Sequence, residues 1–222
     1  MHRRAALLGL SAVVLFGCAL VVFSSLNPGF DPLEDYVSRL GAVGQPYALL
    51  WNIVGFGAVG ALLAGFGIAY GHILHDRLVS ALLALFGVGF GAAGVPMDLG
   101  DGASPASKAH VVAVCLGLAA WLVGLARLAY APSLDRYTRH SANVAAALVV
   151  LPIVGAGAQL WSVPVTHRLV FIVVFGWLAT TSITLLTEPA RVGAAEHEAV
   201  KGRFALQERP CRRSMWRGRS CC

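Results

Sequence analysis

Ser38, Asp98, Asp101, His110, His167 and Arg168 are the residues of this chain best suited to chemistry. Imidazole and carboxylate are metal-ligand types. A metal held by Asp98, His110 and His167 could activate water for attack on a substrate. Without a metal, the same groups could act as acid and base, with Ser38 orienting water. His110 and His167 could also be axial ligands of a haem, because two imidazoles at one depth on different helices is the geometry that needs. Plainer roles stand beside these. Asp98 and Asp101 lie among glycines and suit turns, and Asp-Leu-Gly-Asp-Gly lacks the ligand spacing of a calcium loop. A serine on a helix usually bonds backbone. His167 and Arg168 suit the opening turn of a helix. No motif names a reaction or a cofactor.

What must position these residues is a set of apolar stretches. Of the 222 residues, 57% are hydrophobic and 13% charged, against about a quarter charged in soluble domains. The stretches 5–26, 46–71, 78–95, 109–131, 142–161 and 169–187 approach or exceed the ~20 helical residues that cross a hydrocarbon core of about 30 Å. Helix satisfies its own backbone in lipid, whereas a β-barrel would show short alternating segments. The sequence therefore predicts an all-α bundle of six transmembrane helices over 1–187, followed by a basic, unstructured tail over 188–222.

Lysine and arginine set the orientation. With the N-terminus cytoplasmic, only Arg39, Lys108 and Arg168 of the 17 basic residues fall outside. This predicts both termini inside and a bacterial plasma-membrane location. The net charge of +6 then reports orientation rather than nucleic-acid binding, and the tail could touch anionic lipid. Arg3-Arg4 before an apolar run resembles a signal peptide, but the run continues past Cys18 and predicts a retained helix. The five cysteines form no disulfide framework.

All six candidate residues fall at the outer face on this topology. His110 follows Pro105 by five positions, about 7 Å into the fourth span at 1.5 Å per residue. His2, His72, His75, His140 and His197 fall on the cytoplasmic side. In the first outer loop, Asp31-Pro32-Leu33-Glu34 carries N-cap signals. Leu33, Tyr36, Val37 and Leu40 then form one apolar stripe. This predicts a short interfacial helix over 32–40, with Asp35 and Arg39 as an i,i+4 pair. Small residues four apart, at Gly67 and Gly71, Gly87 and Gly91, and Ala61 and Gly65, predict close helix packing. Ala69-Tyr70 before Asp76-Arg77 and Ala129-Tyr130 before Asp135-Arg136 could mark a repeated hairpin unit, but membrane helices share a narrow alphabet and coincidence is the plainer reading.

The segment Asp35-Tyr36-Val37-Ser38-Arg39-Leu40-Gly41, then Trp51-Asn52, Gly94-Val95-Pro96-Met97-Asp98 and His110, resembles the bacterial and archaeal six-helix family called domain of unknown function 998. The resemblance runs from about Leu7 to Leu186 and implies the topology but no activity. More distantly, Ser, Asp and His near one membrane face are similar to the transmembrane hydrolase superfamily that includes alkaline ceramidases. Those enzymes use three histidines and seven helices, where this chain supplies His110 and His167 on six. The expected function is non-enzymatic: binding or moving a small amphiphile, or supporting a partner complex. The alternative is a metal-dependent hydrolase acting on a lipid headgroup at the outer leaflet.

Overall fold

The computed structural model describes the backbone of residues 1–207 and the side chains of residues 1–187. Met1–Leu186 forms one compact unit and Thr187–Cys222 falls outside it. The helix Val163–Gln207 runs into the segment expected to be unstructured, and the tail's expected lipid contact lies with side chains outside the described residues. Within the described residues the chain is helical without strands: α1 (His2–Ser25), α2 (Ala48–Ile73), α3 (Arg77–Ala92), α4 (Pro105–Tyr130), α5 (Arg136–Gly157) and α6 (Val163–Gln207).

Five helices are long and apolar enough to cross a bilayer: α1, α2, α4, α5 and Val163–Thr187 of α6. The sixth expected span is shorter. α3 has 16 residues, or about 24 Å at 1.5 Å per residue. It stops because three glycines fall in its last turns and Pro96 lies just beyond, where ring and missing N–H oppose helix. The chain continues as turn and irregular backbone beside the start of α2. There a Cβ on Gly94 would lie 3.1 Å from the Asn52 carbonyl oxygen, and Val43 N–H donates to Met97 O at 2.9 Å.

α2 and α3 pack antiparallel through small residues. A Cβ on Gly60 would meet the Gly91 backbone at 2.5 Å, one on Gly87 the Ala64 nitrogen at 2.2 Å, and one on Gly71 the Ser80 backbone at 2.5 Å. The predicted Gly67, Gly71 and Gly87 seams are contacts of this kind, whereas Gly65 faces Leu8 of α1 at an ordinary 3.4 Å. Gly89 and Gly117 bring α3 against α4 in the same way. Between these helices lies an aromatic core: Phe16 stacks on Phe175 with centroids 4.4 Å apart, and Trp51, Phe56, Phe90 and Phe171 pack around them.

The predicted interfacial helix over 32–40 does not form. Asp31 caps a single turn, its Oδ1 accepting from Leu33 N at 2.7 Å and Glu34 N at 3.1 Å. Tyr36 is then extended, at φ −66 and ψ 141, and a 3₁₀ turn follows over Val37–Gly41. Arg168 explains the break, because its guanidinium donates to the carbonyls of Pro32 and Asp35. Those oxygens would otherwise bond the next helical turn, and Arg39 N–H turns instead to Tyr36 O at 2.9 Å. Val37 and Leu40 of the expected stripe are buried, but Leu33 is 71% exposed. The Asp35–Arg39 ion pair forms as expected.

Candidate functional site within the bundle

Ser38, His110 and His167 line one cavity of about 290 Å³, together with Phe56, Phe86, Phe90, Phe171, Thr166 and small or aliphatic residues of α4, α5 and α6. The elements place them at one end. The 3₁₀ turn carries Ser38, held by the Asn52 side chain, which donates to Gly41 O at 2.9 Å. No larger residue fits at 41, where a Cβ would stand 1.8 Å from Asn52 Oδ1. Ser104 caps α4, accepting from Ser107 N at 3.2 Å, with Pro105 in the first turn. His110 therefore enters the bundle one turn below the helix start. His167 sits at the equivalent depth of α6.

The two imidazoles are held differently. His110 is 4% exposed and its Nδ1 lies 2.6 Å from Ala93 O. A carbonyl only accepts, so Nδ1 carries the proton, and in the neutral ring Nε2 remains an acceptor. The ring also meets Phe56 edge-on at 6.2 Å. His167 packs edge-on between Tyr36 at 5.4 Å and Phe171 at 6.0 Å. It makes no hydrogen bond to a described residue. Neither does the Ser38 hydroxyl, on a residue only 8% exposed. From His167 to Val174 the lining is apolar for about 10 Å of helix.

The other candidate residues face elsewhere. Asp98 is exposed, and its Oδ1 accepts from Gly100 N at 2.9 Å and Asp101 N at 3.2 Å. Asp101 accepts from Ala103 N at 2.9 Å. Both are turn formers, and their carboxylates do not line the cavity. Among the described residues, no three His, Cys, Asp or Glu side chains are placed to hold a metal ion. The expected ligand set of Asp98, His110 and His167 is therefore not assembled, because the loop's own N–H groups take the carboxylate that the metal would need. Arg168 turns away from the cavity, bonding Asp35 O at 2.7 Å and Pro164 O at 3.3 Å besides Pro32 O. Burial pushes the Asp35 carboxyl up, but the Arg39 and Asp31 hydrogen bonds and the charges of Arg39 and Arg168 bring it below the usual 3.8.

Residues 9–194 match the family DUF998, proteins of unknown function. The chain belongs to the DUF998 family. No curated protein and no solved structure matches it. Several parts of this DUF998 site were not anticipated from sequence. Ser107 ties the 98–101 loop to α4, with Asp98 N donating to its hydroxyl at 3.0 Å and the hydroxyl donating to Asp101 O at 3.1 Å. Its place three residues after the Ser104 cap was the available signal. Thr166 and Trp161 both donate to Pro152 O of α5, at 3.3 and 3.0 Å. They close the α5–α6 wall, where Trp161 packs on Gly155 rather than simply anchoring in headgroups. Cys115 lines the cavity while remaining exposed.

Proposed function

We propose that this DUF998 protein is a multi-pass protein of the bacterial plasma membrane, with cytoplasmic termini, that binds a small amphiphile in the cavity between α3, α4, α5 and α6. One observation carries the reading: a mostly apolar cavity of about 290 Å³ with Ser38, His110 and His167 gathered at one end. That volume is at the lower limit of small-molecule sites, which run from about 300 to 1,000 Å³. It suits a single chain or one end of a larger lipid. Polar groups in such a site orient the ligand while apolar walls hold it. Binding, with or without translocation, needs no further group.

A hydrolase remains the second reading, favoured only by the Ser38 hydroxyl and His167 sharing a cavity. The metal-dependent form has too few ligands among the described residues. The test is saturable binding of radiolabelled dodecanol to the full chain in nanodiscs, corrected for partition into empty nanodiscs. Val114→Phe, which fills the cavity from α4 at a half-buried position, is expected to abolish it. Unchanged saturable binding in that variant would show that the cavity is not the site.

A further inference from the structure

The polar end of the cavity has a hydrogen-bonding inventory that narrows the headgroup it can take. Two groups point to this. The Ser38 hydroxyl, on a residue 8% exposed, has no partner among the described residues. The His167 ring lies between Tyr36 and Phe171 with both nitrogens unbonded to any described residue. His110 does not add to these, because its ring is turned to the backbone carbonyls of Ala93 and Val95. Buried polar groups in native proteins are almost always paired, and leaving one unpaired is costly. A ligand that completes this site accepts from the Ser38 hydroxyl and donates to the unprotonated nitrogen of the neutral His167 ring.

We infer that the ligand is a lipid alcohol: a single apolar chain ending in a hydroxyl. A hydroxyl donates once and accepts twice, which matches what Ser38 and His167 leave open. A carboxylate has no proton to give to His167. It would also enter a buried site with no cation at hand, since Arg168 is turned to the carbonyls of Pro32, Asp35 and Pro164. An ether or alkane satisfies the walls but gives no proton to His167. The chain runs below the polar groups along Val114, Leu118, Val170 and Val174.

The inference rests on the amphiphile-binding reading, and a ligand series of constant tail separates the two. Saturable binding of dodecanol, dodecyl methyl ether and dodecanoate to the full chain in nanodiscs is measured at mildly alkaline pH. Dodecanol is expected to bind about tenfold more tightly than the ether, the scale of one or two well-made buried hydrogen bonds. His167→Phe should erase most of that preference, because the donated bond is lost while the ether oxygen still accepts from Ser38. Ser38→Ala should weaken alcohol and ether alike, and unchanged thermal unfolding of both variants reports that the fold is intact. Equal affinity for alcohol and ether, or tighter binding of dodecanoate, overturns the hydroxyl inference and leaves amphiphile binding standing. No saturable binding of any of the three overturns both.

Discussion

At the scale of single residues, Arg168 is the clearest case of a side chain whose role differs from its type. A cation at the end of a span looks like a ligand for anions. In the structure its fork bridges the carbonyls of Pro32, Asp35 and Pro164, and it sets the path of the first loop. Lysine is a point charge and cannot hold three carbonyls in a fixed plane. Arg168→Lys should therefore loosen the loop, seen as faster hydrogen exchange of Arg39 and Ala42 N–H, with little change in the helices. Asn52→Ala removes the bond to Gly41 O and should cost about 1–3 kcal/mol in detergent unfolding. His110 and His167 were legible because cap signals and the start of a span locate them in depth. The turn role of Asp98 was legible in the glycines around it, but which N–H groups its carboxylate takes depends on backbone geometry that the sequence does not display.

At the scale of elements, the hairpin turns can be compared directly. Asp76 and Asp135 both cap the following helix, accepting from Val79 N at 3.1 Å and Thr138 N at 3.0 Å. The likeness ends there, for Asp76 also takes a bond from Arg127 Nε at 2.9 Å, and Tyr70 is buried where Tyr130 is 81% exposed. Burial pushes the Asp76 carboxyl up, but the Val79 and Leu78 N–H groups and Arg127 outweigh it, so its pKa lies below 3.8. A carboxylate depressed on folding stabilises the protein above its unfolded pKa. That contribution is lost as pH falls through the folded value, at the acid end of the range. Asp76→Ala should cost about 1 kcal/mol, and Asp76→Asn less because it keeps the cap. Thermal unfolding of the two variants near neutral pH would show the order.

Glycine seams make a sharper element-scale prediction. Gly87→Ala would drive a methyl to 2.2 Å from the Ala64 backbone, whereas the nearest atom to a Cβ on Gly91 is 3.8 Å away. The first change should destabilise by about 1–3 kcal/mol. The second should be neutral or gain up to about 1 kcal/mol from helix propensity. Their spacing in sequence is the same four residues, so the small-residue pattern identified the seam but could not rank its members. The first loop shows the same limit. Cap and stripe signals at 31–40 are real, since Asp31 caps a turn and Val37 and Leu40 are buried. The contact that breaks the helix comes from Arg168, more than a hundred residues away, and no local pattern carries it.

At the scale of the whole molecule, the shortness of α3 bears on topology. Six crossings return the C-terminus to the side of the N-terminus, and five do not. α3 supplies about 24 Å, and the five residues 93–97 can add up to about 17 Å of chain, enough together to complete a crossing. Reporter fusions after Arg77 and after Arg139 should both read cytoplasmic. A cytoplasmic reading after Arg77 with an external one after Arg139 would mean that α3 turns back within the membrane, and the orientation of everything after it would reverse.

Cys115, Ile153 and Val163 line the cavity and are exposed on the flank of the bundle, and Cys115 lies near the middle of α4. A guest entering there comes from the lipid phase, so its occupancy follows its mole fraction among lipids rather than its concentration in water. Adding empty vesicles at constant total ligand should therefore strip the protein by dilution in two dimensions, even when the aqueous concentration has hardly changed. A thiol reagent carried on a lipid tail should reach Cys115 faster than a water-soluble one of equal reactivity, and a resident guest should slow it.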